Sequence, residues 1–303
     1  MPRGSGDGAR AVLLAGQPRP ALVALLGVGL LSIMDALVKL VAAEVPTWQI
    51  VLLRYAFGTA FALPLFAAAR PHLPAAEVLR AHLMRAAAIV LTAATFFYAL
   101  ANLPLAVALA LSFTSPILIA LLARLSLGER PNAGVLLAIG LGFAGVLLVL
   151  LGELGRSGAA TLPGIAAAMA AAAFYAVSMV SLKARAARDP LPTIVLLQNA
   201  FAGLLVLPLG AAAWVTPSSA ALAWLVGVGL LGTAGHVALT WAYRRAAASQ
   251  LGALDYTAFV WAMALGFLVF GEVPSVATLA GAALIIAGAL VAVNAPRVPE
   301  DDR

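Results

Sequence analysis

The chain has 303 residues, 64% of them hydrophobic and only 10% charged, with no cysteine and a mean hydropathy of +1.06. A soluble protein of this length carries far more charge and a polar face on its helices, and without cysteine there are no disulfides, thiolate metal sites or thiol nucleophiles. The net charge of +6 does not mark a nucleic-acid binder, because the basic residues are scattered over short loops and form no stripe.

Residues 1–20, rich in Gly, Pro and Arg, read as a flexible cytoplasmic tail. Ten apolar stretches follow, near 21–42, 47–68, 83–101, 104–126, 132–152, 162–183, 191–214, 219–243, 249–270 and 275–295. A helix of roughly 17–25 apolar residues crosses a bilayer, so the pattern predicts an all-α polytopic membrane protein with ten transmembrane helices. The first stretch is too long for a secretory signal and carries Asp35 and Lys39, so it is expected to remain as a span. Residues 296–303 form a second cytoplasmic tail.

Charge predicts the orientation. Of 18 Lys and Arg, 15 fall on one side: Arg3, Arg10, Arg19, Arg70, Arg80, Arg85, Arg124, Arg130, Lys183, Arg185, Arg188, Arg244, Arg245, Arg297 and Arg303. Arg156 lies in an opposite loop, and Lys39 and Arg54 lie within spans. Cytoplasmic loops carry this excess. Both termini are therefore expected inside, in the plasma (bacterial inner) membrane.

The halves 21–152 and 162–295, joined by a linker at 153–161, align with each other. Ile50–Phe57 matches Ile194–Phe201, each run reaching Leu-Pro-Leu, at 63–65 and 207–209. Leu127-Gly128-Glu129 matches Phe270-Gly271-Glu272, and Gly145 matches Gly288 at the same spacing. Five spans per half, an odd number, predicts that the second half is inverted relative to the first, a plan that places a substrate site where the halves meet.

These residues, with Phe113-Thr114-Ser115-Pro116, Arg130, Gly142-Phe143-Ala144-Gly145 and Gly281, resemble the EamA-type transporters of the drug/metabolite transporter superfamily. The resemblance covers nearly all of 21–295 and implies ten helices in two inverted five-helix repeats, a small-molecule substrate and no cofactor. Phe259 stands where the first half has Pro116, so any proline kink is expected on one side only.

Ionisable groups inside spans are costly and point to function. Asp35 and Arg54 each lie seven residues from the outer ends of the first two spans, at one depth of ~10 Å, with Lys39 one turn from Asp35. His236 lies seven residues from the inner end of the eighth span and Asp255 six from the inner start of the ninth. Two pairs follow as expectations, Asp35 with Arg54 and His236 with Asp255. An Asp–Arg pair either neutralises two charges and holds a hairpin in register or serves the substrate or a gate. A His beside a carboxylate titrates near neutral pH and suits a coupling proton, or it is an ordinary hydrogen bond.

Polar stripes line helix faces: Thr92, Thr95, Tyr98 and Asn102; Gly232, His236, Thr240 and Tyr243; Ser32, Asp35 and Lys39; Phe174, Ser178 and Ser181. Hydrogen bonding between helices accounts for any one of them; four together suggest a cavity, with Ser115 and Trp261 also at it. Trp48, Trp214 and Trp224 read as interface anchors, and Glu129 and Glu272 as loop or helix-start devices. The chain has no Gly-x4-Gly-Lys-Ser/Thr, His-Glu-x-x-His or Gly-x-Ser-x-Gly pattern. A secondary carrier, not an enzyme, is the reading, with the bilayer, a small solute and a coupling proton as partners and no nucleic acid or metal. An intramembrane enzyme on a lipid or other membrane substrate is the alternative.

Overall fold

The structure, a computed structural model, describes residues 19–69, 74–102, 111–153, 162–271 and 275–295. Arg3, Arg10, Arg70, Arg156, Glu272, Arg297 and Arg303, and the side chain of Asn102, lie outside the described residues. The described residues contain no strand and form eleven helices: α1 (Pro20–Val41), α2 (Thr47–Ala69), α3 (Ala76–Asn102), α4 (Ser115–Leu127), α5 (Ala133–Glu153), α6 (Leu162–Ala186), α7 (Leu191–Ala212), α8 (Ser219–Tyr243), α9 (Ala248–Leu254), α10 (Thr257–Phe270) and α11 (Val276–Asn294). Eight stretches of these are long and apolar enough to cross a membrane, α9 and α10 counting as one; α4 and residues 133–148 of α5 are apolar but shorter. Of the fourth expected span, residues 103–110 lie outside the description. Large apolar side chains such as Leu125, Leu204 and Leu268 stand exposed, as a lipid-facing surface requires.

Local chemistry sets the helix ends. The hydroxyls of Ser218 and Ser275 cap α8 and α11, each accepting a backbone N–H at 3.1 Å, from Ala221 and Thr278. The matched Gly128 and Gly271 end α4 and α10 at φ 70° and 68°, a left-handed turn that side chains with a Cβ resist. The helix α3 starts at Ala76, seven residues before the expected span, because its first turns are mixed polar and apolar (Glu77, Arg80). That extension carries Arg85 into the bundle.

Two spans are interrupted, not one. The chain is helical at 111–112, turns at Phe113 and Thr114, and resumes as α4; it turns again at Asp255 and Tyr256 between α9 and α10. At each turn a threonine hydroxyl donates to the carbonyl three residues back at 2.7 Å, Thr114 to Leu111 and Thr257 to Leu254. Backbone bonds there also step back three residues, as in Ile117 to Thr114 and Ala258 to Asp255, the tightening seen where a helix shifts to 3₁₀ geometry. The one-sided kink expected from Pro116 is thus corrected. Proline fits the start of α4, but the feature common to both breaks is threonine.

The helices associate mainly across the two halves: α5 with α11, α1 with α8, α3 with α6, and α2 with α7. Small residues permit the close approach. A Cβ on Gly145 would sit 2.6 Å from the Gly281 carbonyl, and one on Gly288 2.9 Å from that of Ala138. The largest apolar cluster gathers the start of α1 (Ala24), the body of α4 (Ile119, Ala123), the ends of α6, α8 and α11 (Leu182, Tyr243, Ala292), the starts of α5 and α7 (Val135, Ile194), and α9 (Leu251, Leu254). It lies at the end where α1 begins and α11 finishes. Arg124, Arg130, Arg185, Arg244 and Arg245 flank these helix ends, so this is the basic end of the bundle.

Candidate functional site

Glu129 ties the two halves at the basic end. Its carboxylate accepts from the backbone N–H of Ala248 at 2.8 Å and from the N–H and hydroxyl of Ser249, both at 3.1 Å. Three free N–H groups and a partial positive charge at the start of α9 explain the attraction. The helix-start role expected of Glu129 is thus exerted on α9, while Asn132 caps its own helix α5 through the Val135 N–H at 2.9 Å. Nearby, Asp189 accepts both Arg185 Nε and Nη2, at 2.7 and 2.9 Å, and meets His82 Nε2 at 2.9 Å. This joins α3 to the α6–α7 loop.

Above this floor lies a polar interior whose pairing differs from expectation. Arg54 Nη2 meets His236 Nε2 at 3.3 Å, and its Nη1 donates to the Tyr55 hydroxyl at 3.1 Å. The guanidinium also lies 4.8 Å from the centre of the Tyr55 ring, a cation–π distance. Its stem runs beside Gly232, where a Cβ would come 3.2 Å from Arg54 Nε. Arg54 therefore descends about a turn from its backbone to reach His236, and only its charge reaches Asp35. Since arginine has donors but no acceptor, His236 Nε2 must accept. The ring is then neutral with its proton on Nδ1, a buried atom with no partner among the described residues.

Asp255 does not meet His236. Its Oδ2 accepts from the Tyr175 hydroxyl on α6 at 3.2 Å, and it stands at the break between α9 and α10. At the same break the Tyr256 ring packs over Gly142 of α5, where a Cβ would strike it, and lies 5.8 Å from the Phe113 ring, centre to centre. Phe113 and Tyr256 are separated in sequence by the same interval as Gly128 and Gly271. The two breaks thus touch at corresponding residues.

The other expected residues fall into groups. Ser178 and Thr240 are buried, each with a hydroxyl that lacks a partner among the described residues. Ser115 is buried at the start of α4. Thr95 donates to the Leu91 carbonyl of its own helix at 2.7 Å, and Ser32 and Thr92 bond to their own helices in the same way. Tyr98 and Asp35 stand on accessible surface, and the Trp261 ring rests on Gly29 of α1, where a Cβ would be 3.0 Å away.

Three interior residues escaped the sequence reading. Arg85, nine residues into α3 and so ~14 Å along it, is buried and donates through Nε to the Ser178 carbonyl at 3.3 Å. It had been counted with the charges of one side because the expected span began at 83, only two residues before it. Tyr175 and Tyr55 carry no formal charge to draw the eye, although the neighbourhood of Tyr55 next to Arg54 was a usable signal.

Comparison with known proteins follows the same division into halves. The family model described as the EamA-like transporter family matches residues 19–151 and again 162–294. A pseudopaline exporter of Pseudomonas aeruginosa is 31% identical over 268 residues, covering 88% of this chain and 92% of that protein. A riboflavin transporter of Rhizobium johnstonii is 31% identical over 294 residues, covering 91% and 93%. A solved crystal structure superposes with a TM-score of 0.78 at 24% identity, over 90% of this chain and 96% of that one; this last likeness concerns the fold alone.

Proposed function

The chain belongs to the EamA-like transporter family, and from that membership we propose that it is a secondary active carrier moving a small metabolite by alternating access. In this reading ten spans form two inverted five-helix repeats in the plasma (bacterial inner) membrane, with both termini cytoplasmic. The pattern of contacts supports it: exchanging the halves converts the α1–α8 contact into α6–α3 and leaves α5–α11 and α2–α7 unchanged. The basic residues at one end support the orientation.

The observation that carries the function is the buried polar interior, built from both halves and lying directly on the basic-end cluster. Arg54, Arg85 and Tyr55 come from the first half, and Tyr175, His236 and Asp255 from the second. A carrier needs such a site at mid-membrane, beside discontinuous helices, with one mouth closed at a time. Asp35, on accessible surface within reach of the Arg54 charge, faces the approach from the other end.

Coupling to protons is assigned to Asp255, the carboxylate at the break. Protonation removes its charge and weakens its hold on the Tyr175 hydroxyl. His236 takes a proton only when Arg54 withdraws, because an imidazolium has no lone pair for the guanidinium and repels it. The relatives named for pseudopaline and riboflavin support a small organic solute. An amino acid or related zwitterion fits the mixed charge of the interior best, ahead of drug-like or nucleotide-like compounds.

The test is uptake by purified protein in liposomes, offering pooled amino acids, nucleosides, S-adenosylmethionine and riboflavin with and without an imposed pH gradient. Accumulation of a solute only with the gradient is expected, and Asp255→Asn is expected to lower it roughly tenfold or more. Full gradient-driven accumulation with Asp255→Asn removes Asp255 from coupling. Flux indifferent to the gradient replaces coupling with facilitation or exchange. Chemical conversion of a lipid without flux restores the enzyme alternative.

A further inference from the structure

The interior holds a charge left unanswered among the described residues. Arg85 is 2% exposed. Its Nε is engaged by the Ser178 carbonyl, but Nη1 and Nη2 have no partner among the described residues. Tyr55, Tyr243 and Tyr175 lie about it, phenols that carry no charge at neutral pH. The acids of the neighbourhood are committed elsewhere: Asp189 to Arg185 and His82, and Asp255 to Tyr175. A buried cation without a counter-charge is costly, and within a membrane such a group marks a substrate or ion pathway.

The chemistry of the gap narrows the ligand. Two Nη groups side by side form a fork that matches the two oxygens of a carboxylate. Ser178, which meets Arg85 through its carbonyl, and Tyr243 and His236, which lie within its electrostatic reach, carry buried polar atoms with no partner among the described residues, Oγ, OH and Nδ1, with protons available to an anion. One cation balances one negative charge. A phosphate dianion calls for a second, and Arg54 is already held by His236 and Tyr55. Tyr175, which lies in the field of Arg85, donates to Asp255, so an anionic group bound at Arg85 has a carboxylate of the protein within the same chamber to receive an amine.

We propose that Arg85 is the carboxylate-binding group of the substrate site, gripping a carboxylate of the transported solute through Nη1 and Nη2. The proposal rests on the carrier reading above and deepens it by naming the chemical class of the substrate: a carboxylic acid, with α-amino acids and their derivatives as the fitting subset. Arg85 acts as a binding residue, and Asp255 as the acid facing the other end of the same molecule.

The experiment measures binding without transport. Detergent-purified protein is titrated with the L-amino acids and with benzoate, each paired with its carboxamide, and affinity is read by calorimetry or thermal shift. At least one acid is expected to bind about tenfold more tightly than its amide, and Arg85→Gln is expected to bring that ratio close to one. If Arg85→Gln does not yield folded protein, Arg85→Lys serves. It keeps the charge but loses the fork, and the ratio is expected to fall about threefold. Equal affinity for every acid and its amide in the unmodified protein overturns the proposal, and so does a preference for acids that survives unchanged in the variant. Liposome flux of solutes without a carboxylate preference keeps the carrier and overturns the Arg85 site. Carboxylate binding without any flux keeps the Arg85 site and overturns the carrier.

Discussion

The two ends of the bundle are closed by different means. At the basic end a single apolar cluster draws on α1, α4, α5, α6, α7, α8, α9 and α11 and spans both halves. At the opposite end the apolar contacts are split: Val41, Val45, Ile50, Ala221 and Leu225 form one small group, and Ala99 and Ala168 another. Both groups join the halves, and polar bonds add to them. Gln49 exchanges two hydrogen bonds with the Val215 backbone at 2.6 and 2.8 Å, and the Glu44 carboxylate accepts from the Ser218 N–H and hydroxyl at 2.5 and 2.9 Å. Continuous apolar burial is a cooperative closure, because each side chain removed leaves a cavity for its neighbours. The hydrogen bonds of Glu44 with Ser218 are exposed and separate at little net expense, since water replaces them, while Gln49 is buried and held more firmly. The basic end is therefore the more continuously packed of the two, and the opposite end the more lightly joined.

Three substitutions strain this contrast, from the most to the least disruptive. Leu254→Ala, at the heart of the basic-end cluster and fully buried, is expected to cost about 2–5 kcal/mol, read as lost thermal stability of the purified protein; a smaller loss than that of Leu225→Ala would erase the difference between the ends. Glu129→Ala removes the cap of α9 and is expected to cost about 1–2 kcal/mol. Because the chain has no cysteine, Ala248→Cys is a unique reporter here: thiol labelling of this buried position should be slow with Glu129 present and faster without it, and unchanged rates would mean that the carboxylate does not hold the end shut. Glu44→Ala, the counterpart at the exposed latch, is expected to cost less than about 1 kcal/mol. If it destabilises the protein as much as Glu129→Ala, the latch is no weaker than the seal.

The spans were readable because length and apolarity act over twenty residues at once, and a few misplaced boundaries do not hide them. Local geometry was harder. Pro116 drew attention to the fourth span, yet Thr114 and Thr257 are what the two breaks share, and a threonine in an apolar helix looks like any other small residue. In the site, Asp35, Arg54, His236 and Asp255 stood out because charge is rare in spans. Their partners did not, because depth along a helix ignores side-chain reach: Arg54 extends past Gly232 to His236, and Asp255 turns to the uncharged Tyr175. Arg85 stood two residues inside the expected start of the third span and was counted with the topogenic charges; the helix begins seven residues earlier and sets it deeper. Such a shift changes little in the fold and much in the chemistry.

The contact of Phe113 with Tyr256 has a mechanical meaning. The break in one half leans on the break in the other through rings that stand at matching positions, so neither span can bend at its turn without displacing the other. Two hinges in contact behave as a gear pair. In the carrier proposed above, a solute that tilts one would transmit the motion to its twin, so that the two halves change over together.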